Sequence, residues 1–174
     1  MRRRVILSGV AVFIAASALA FAQGFKNIKE ALTGFEEVPS ISTQGNGIFT
    51  ARISNDETSI EYELSYADLE GNITQSHIHI GQPGVSGGIM LFLCTNLNNG
   101  PAGTQTCPAA PATISGVWTA SSVVGPAGQG IEPAAFEEVI RAIRAGYTYV
   151  NVHSSKWPGG EIRRQINGNS GNGQ

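Results

Sequence analysis

A strict alternation of apolar and polar side chains over residues 59–66 constrains the fold more than any other feature of the sequence. The apolar residues are Ile60, Tyr62, Leu64 and Tyr66, and between them lie Glu61, Glu63 and Ser65. Because successive side chains of a β-strand point to opposite faces, this pattern predicts an antiparallel strand with one buried and one solvated face. A similar alternation over residues 47–53 and the 22 glycines of the chain favour further strands joined by turns.

One segment follows the helical period instead. Its apolar residues recur at positions i, i+3, i+4 and i+7 between a proline and a glycine: Pro133, Phe136, Val139, Ile140, Ile143 and Gly146. Proline suits the first turn of a helix and glycine its C-terminal cap, so we expect one amphipathic helix that covers the core. Short strands, one helix and Gly/Pro turns together predict an all-β fold. The expected form is an antiparallel β-sandwich or partly open barrel with Greek-key connections, either immunoglobulin-like or superoxide-dismutase-like.

The two ends of the chain differ in character from the middle. Three arginines, an apolar stretch over residues 5–19 and the small residues of Ala20-Phe21-Ala22 predict a signal peptide over residues 1–22. The alternative is an uncleaved membrane anchor, for which the apolar stretch is short. Residues 28–167 form the expected domain, and residues 168–174 are a Gly/Asn/Ser tail predicted to be disordered. The chain is therefore expected to be secreted or periplasmic, with no membrane span after cleavage.

Charge restricts the class of partner. The chain has 11 basic and 13 acidic residues, and three of the basic ones are arginines of the predicted leader. The remaining domain would carry a net charge of about −5 and has no basic patch, which argues against nucleic acid as a partner. We expect a protein or cell-surface partner, whose identity the sequence does not specify.

Two cysteines, Cys94 and Cys107, flank a loop rich in Gly, Pro and Asn. In an exported chain two such cysteines are expected to form a disulfide. The alternative is a pair of thiol ligands for a metal, but the spacing is far from the C-x-x-C of zinc sites.

Two of the three histidines lie one residue apart, and the third lies in another extended run. On a strand, His77 and His79 share one face, and His153 shares a face with Asn151. If the aliphatic residues form the core, these side chains lie on the solvent side, and the loop 81–88 could fold over them. Three imidazoles on one surface can hold copper or zinc.

The following extended run adds polar neighbours on the same inferred surface. Glu161 could orient a ligand imidazole or serve as a fourth ligand, and Arg163 lies on the same face of its strand. We therefore predict a candidate metal site of His77, His79 and His153, with Glu161, Arg163 and Asn151 around it. No catalytic residue is assigned, and an enzyme is the less favoured interpretation. Glu36 and Glu37 are interpreted as solvated surface.

The metal site has an alternative. Copper/zinc superoxide dismutases also place an H-x-H pair on a Greek-key barrel, but this chain has no fourth histidine and no aspartate near the pair. The imidazoles could instead bond backbone carbonyls or Glu161 in a network that needs no metal. Geometry separates the two: ring nitrogens about 3–4 Å apart favour a metal, and rings splayed beyond about 7 Å exclude one.

Four segments carry a resemblance to a known family. They read LTGFEEVP at 32–39, SHIHIG at 76–81, GYTYVNVH at 146–153 and PGGEIRRQI at 158–166. On these segments the chain resembles the CHRD domain, a module first described in chordin and also found in exported bacterial proteins. The resemblance implies an extracytoplasmic β-sandwich but little about activity, because the family has no generally established catalytic function. We therefore expect a non-enzymatic binding or structural module, with a copper- or zinc-binding protein as the alternative.

One residue departs from the family pattern. Arg164 stands where the family usually has glycine, and on a strand it shares a face with Ile162 and Ile166. If that face is the core, the guanidinium must leave at the strand's edge or find a partner.

Overall fold

The computed structural model describes residues 27–168. The predicted leader, and the tail beyond residue 168, lie outside the described residues. Between them the chain forms strands β1 to β6, helix α1 and then strands β7 and β8. In order these are Asn27–Thr33, Asn46–Ile53, Ile60–Ala67, Ile73–Ile80, Ile89–Thr95, Ala112–Trp118, Phe136–Arg144, Thr148–Ser154 and Ile162–Ile166. Short 3-10 helices occupy Gly34–Glu36, Ala120–Ser122 and Ala127–Gln129.

The eight strands form one antiparallel sheet in the order β5-β4-β7-β8-β1-β2-β3-β6. Its two outermost strands, β5 and β6, are bridged by Trp118, whose Nε1 donates to Phe92 O at 2.8 Å. Tyr62 of the neighbouring β3 also reaches β5, where its Oη donates to Leu93 O at 3.3 Å. The expected antiparallel all-β class with one helix is confirmed. Of the two expected forms the sheet is closer to the barrel, because it is nearly closed and does not clearly form the two packed layers of a sandwich.

A single pairing explains why the sheet is continuous. β8 meets β1 at the pair Thr33↔Arg163, which joins the β5-β4-β7-β8 half of the sheet to the β1-β2-β3-β6 half. Alternation in the sequence specifies the two faces of each strand, but it carries no information about which distant strands become neighbours.

The helix covers the core as predicted. Phe136, Val139, Ile140 and Ile143 are all buried, and burying a large apolar side chain contributes roughly 1.5–3 kcal/mol. Gly146 has φ +76°, the left-handed conformation of a helix C-terminal glycine, and its N–H donates to Ile143 O. Arg144 pairs with Glu57 of the β2–β3 turn at 2.7 Å, which fixes the end of the helix against that turn.

Three further observations complete the fold. Cys94 and Cys107 form the predicted disulfide. Arg164 finds partners at the β1–β8 junction, with its guanidinium 3.3 Å from Glu30 and 2.9 Å from Glu36, so the departure from the family pattern is accommodated by ion pairs. Within residues 27–168, no helix is both long enough and apolar enough to cross a membrane.

Candidate functional site

The three histidines lie together on the outer face of the barrel. β4 and β7 are antiparallel neighbours, with His77 opposite Asn151, His79 opposite Tyr149 and Gln75 opposite His153. Their alternate residues, including Ile78 and Val150, belong to the apolar core. Alternation alone therefore places all three imidazoles on one side of two adjacent strands.

This outer face is buried, and the expectation that it faces solvent is wrong. His77 is 1 % exposed, and His79 and His153 are each 7 % exposed. A lid loop, residues 81–88, folds over part of the face and is held by the polar side chains beneath it. Arg163 donates to Val85 O at 2.9 Å, and Gln165 donates to Gly81 O at 2.9 Å.

Glycine is required where the lid loop turns back on β4. A Cβ on Gly87 would lie 1.7 Å from the carbonyl oxygen of Ile80, a distance that no side chain can occupy. The backbone of Gly87 also serves the site: its carbonyl contacts His79 Nδ1 at 2.9 Å, and its N–H donates to Tyr149 Oη at 3.0 Å. The lid loop thus both covers and orients the cluster.

The imidazoles converge. His77 Nδ1 lies 3.2 Å from His153 Nε2, and one ring nitrogen from each histidine can be chosen so that all three lie within 4.8 Å of one another. Two ligands at 2.0–2.1 Å from a tetrahedral metal are about 3.3 Å apart. The closest pair has that separation, whereas the widest separation, 4.8 Å, lies between the roughly 3–4 Å expected of ligands and the distance of about 7 Å that would exclude a metal.

Backbone carbonyls fix the tautomers of two rings. His79 Nδ1 lies 2.9 Å from Gly87 O, and His153 Nδ1 lies 2.9 Å from Pro158 O. A carbonyl oxygen only accepts, so each Nδ1 carries the proton and, in a neutral ring, each Nε2 is a lone pair. A histidine ligand whose other nitrogen donates to a carbonyl is the arrangement that orients imidazoles at metal sites.

The position of the proton on the third ring, His77, follows by elimination. Because His153 Nε2 is a lone pair, His77 Nδ1 must supply the proton of their 3.2 Å contact, which leaves His77 Nε2 as a second lone pair. His77 Nε2 and His79 Nε2 are buried and have no hydrogen-bond partner among residues 27–168. The hydrogen-bonded network is therefore incomplete, and each unsatisfied group costs about 1–3 kcal/mol.

Burial keeps the rings neutral. It lowers the pKa of His77 to about 2, with the neighbouring histidines adding to the effect. It lowers the pKa of His79 to about 4 and also lowers the pKa of His153, against the opposing effect of the Pro158 carbonyl. Neutral imidazole is the form that binds metal, so no proton has to leave these rings at neutral pH.

Aromatic packing holds the rings in place. The Tyr149 ring stacks parallel to His79 with centroids 4.7 Å apart, and the Phe92 ring meets His77 edge-on at 4.5 Å. On β8, the guanidinium carbon of Arg163 lies 3.4 Å from the Tyr149 ring centre. Tyr149 and Phe92 were not among the predicted site residues, although Tyr149 shares the alternating face of Asn151 and His153.

The other predicted site residues are buried on the same face but have different partners. Glu161 Oε1 accepts from Thr43 Oγ1 at 2.9 Å and from the Glu70 N–H at 2.6 Å. The Asn151 side chain is buried next to His79 and Glu37, and hydrogen bonding with it acts on the pKa of both groups. The cluster of possible ligands found over residues 27–168 consists of the three histidines and does not include Glu161.

Glu37 is a residue that sequence reasoning missed. Interpreted as solvated surface, it is in fact buried. Burial raises its pKa to about 7, opposed by the Arg163 charge and by hydrogen bonds that include one from Asn151. A Cβ on Gly160 would lie 2.5 Å from Glu37 Oε1, so the glycine before Glu161 makes room for this carboxyl. The sequence signal that could have identified Glu37 is its position within the segment 32–39, one of the four segments that carry the family resemblance.

The comparisons with known proteins agree with the sequence motifs. A family model for the CHRD domain matches residues 28–166, which is most of the chain. Searches of curated proteins and of solved structures found no match. All three histidines and the strands that carry them lie within the matched range.

Proposed function

Because the chain belongs to the CHRD domain family, we propose that it is an exported, non-enzymatic module in which His77, His79 and His153 hold one copper or zinc ion. We further propose a secreted or periplasmic location, which the Cys94–Cys107 disulfide supports because disulfides persist in oxidising compartments. The module would act on a protein or a cell surface, and its acidic balance argues against nucleic acid.

One observation carries the metal proposal. Backbone carbonyls assign the proton to Nδ1 of both His79 and His153, which leaves Nε2 of both rings as lone pairs. The three rings converge so that one nitrogen of each lies within 4.8 Å of the others. An ion at the centre would satisfy His79 Nε2, which has no hydrogen-bond partner among the described residues. It would also replace the hydrogen bond between His77 Nδ1 and His153 Nε2, with the His77 proton moving from Nδ1 to Nε2. The rings would move by only about 1 Å to reach metal–nitrogen distances of 2.0–2.1 Å.

A metal-free network is the second candidate, and the 3.2 Å contact between His77 and His153 favours it. The same separation suits a hydrogen bond and two ligands of one ion. The network would fix the register of β4 and β7 without metal. It leaves His79 Nε2 buried as a lone pair without a partner among the described residues, which an ion would satisfy, and for this reason we prefer the metal site.

Metal content after reconstitution tests the proposal. We expect the purified protein, loaded with Zn²⁺ or copper and then desalted, to retain one equivalent. His79→Gln should lose it, because glutamine can still donate to Gly87 O but offers no imidazole lone pair. Thr148→Val is the matched control: Thr148 is buried on the opposite face of β7, and its hydroxyl has no hydrogen-bond partner among the described residues.

Thermal unfolding gives an independent readout. Ion at 100 times its Kd should stabilise the wild type and Thr148→Val by about 2.7 kcal/mol and leave His79→Gln unchanged. Retention of less than a tenth of an equivalent by the folded wild type, with no shift in Tm, would establish the metal-free network instead.

A further inference from the structure

The proposed ligand set carries no negative charge. The three histidines are neutral, and the cluster identified over residues 27–168 contains no carboxylate and no thiolate. Glu161 directs Oε1 to Thr43 and to the backbone of Glu70. An ion held by three imidazoles therefore keeps its full charge in a buried site. Imidazole accepts both zinc and copper, so the ligand type alone does not choose between them.

A buried cation stands next to this site. Arg163 is 2 % exposed, and its guanidinium lies 3.4 Å from the centre of the Tyr149 ring, which in turn stacks on His79 at 4.7 Å. Since β7 lies between β4 and β8, the Tyr149 ring separates the guanidinium from the imidazole. An ion bound to His79 would therefore lie one aromatic ring away from a buried positive charge.

The cation is only partly compensated. The acidic groups that face Arg163 are Glu37 and Glu36. Burial raises the pKa of Glu37 to about 7, so this carboxyl is roughly half ionised at neutral pH. Glu36 also pairs with Arg164, at 2.9 Å. A second positive charge in the cluster is therefore opposed by the surroundings, and a doubly charged ion is opposed more strongly.

We propose, on the premise that the histidine site binds metal, that its preferred ion is monovalent copper, Cu(I). Repulsion by Arg163 grows in proportion to the charge of the ion, and the cost of moving an ion out of water grows with the square of that charge. Cu(I) forms stable three-coordinate complexes with imidazoles, whereas zinc on three protein ligands takes a water molecule as its fourth ligand, which here would also have to be buried. Charge and ligand number therefore favour the same ion.

Charge variants at Arg163 test the proposal. Dissociation constants for Cu(I) and Zn²⁺ are measured anaerobically at pH 7 by competition with chelators, on wild type, Arg163→Met and Arg163→Lys. We expect the wild type to bind Cu(I) at least 100-fold more tightly than Zn²⁺. Arg163→Met should tighten Cu(I) by about tenfold and Zn²⁺ by about the square of that factor, because the Coulomb energy doubles with the charge of the ion.

Two controls separate charge from packing. Arg163→Lys keeps the charge and should keep the wild-type ratio of the two constants, even if the lid loop loosens. Arg164→Met removes an equal charge one residue away, where Glu30 and Glu36 already compensate it, and should change neither constant by more than about twofold.

The outcomes distinguish the two proposals. Zinc binding as tight as Cu(I) binding in the wild type, or equal tightening of both ions in Arg163→Met, overturns the preference for Cu(I) and leaves the metal site intact. Failure of both ions to bind overturns the metal site itself, and the inference with it. Three-coordinate copper in an X-ray absorption spectrum of the loaded protein would support both.

Discussion

Two outer faces of one sheet show how different the same alternating pattern can become. On β2 and β3, the residues pointing away from the core are solvated, and Arg52 and Glu61 form an ion pair in which both side chains are more than half exposed. On β4, β7 and β8, the corresponding residues are His77, Asn151 and Arg163, and all are buried. Alternation identifies the residues that point away from the core, but a covering loop decides whether those residues contact water.

The buried face has to satisfy its polar groups without solvent. It does so in part, with carbonyls of the lid loop and of the β7–β8 turn and by keeping its histidines neutral, but His77 Nε2 and His79 Nε2 keep no partner among the described residues. The face on β2 and β3 needs none of this, because water satisfies its charges. Perturbations of the buried face should therefore have large effects, and perturbations of the exposed face should have small ones.

Acid should produce the largest difference between the faces. The folded-state pKa of His79 is about 4 and the unfolded value is about 6.5. The unfolded state therefore binds the proton first, and stability falls as the pH drops from 6.5 to 4. The loss amounts to about 1.4 kcal/mol per pH unit for each such histidine, or roughly 3 kcal/mol for His79 by pH 4.

Urea unfolding of the metal-free protein between pH 7 and pH 4 measures this loss. His79→Gln removes the contribution of His79 to this loss, so the stability of the variant should depend less steeply on pH than that of the wild type. The stability of Thr148→Val should depend on pH as steeply as that of the wild type. Equal slopes for the wild type and His79→Gln would show that His79 titrates normally in the folded protein.

Opening the lid loop should have the next largest effect. Gly87→Ala places a methyl group against the Ile80 carbonyl, so we expect the loop to detach and the stability to fall by roughly 1–3 kcal/mol. Gly128→Ala, where a Cβ meets nothing within 4 Å, is the control and should be near neutral.

Hydrogen exchange in β4 and β7 reports on the loop directly. We expect faster exchange in these strands for Gly87→Ala and wild-type exchange for Gly128→Ala. Unchanged protection in Gly87→Ala would mean that the loop does not seal this face.

The exposed face should show the smallest effect. A double-mutant cycle on Arg52→Ala and Glu61→Ala should give a coupling energy of about 0.2–1 kcal/mol, because both side chains are solvated. High salt should reduce the coupling further. A coupling above 2 kcal/mol, read from urea unfolding, would remove the contrast between the faces.

Local patterns predicted the elements well. The strand predicted over residues 59–66 is β3, Ile60–Ala67, and the helix lies between Pro133 and Gly146. The helix begins only at Phe136 because Ala134 has φ +69°, which is not a helical conformation. Period and turn chemistry act over a few residues, and they are therefore readable from a short stretch of sequence.

Long-range contacts were not readable in this way. The continuous sheet depends on the pairing of Thr33 with Arg163, which are far apart in sequence. The histidines were placed on one face correctly, but their burial depends on a glycine-rich loop with no apolar pattern of its own. The burial of Glu37 depends on the space left by Gly160. Each of these is a tertiary contact that leaves no periodic trace in the sequence.

The protonation of the three rings tests the central claim most directly, and the chain contains no other histidines. Long-range ¹H–¹⁵N NMR at pH 6 distinguishes protonated from bare ring nitrogens. We predict neutral rings with bare Nε2 in His79 and His153, and a large Nε2 shift in both when one equivalent of Zn²⁺ or Cu(I) is added. Imidazolium signals at pH 6, or bare Nδ1 in these two rings with no response to either ion, would contradict the account.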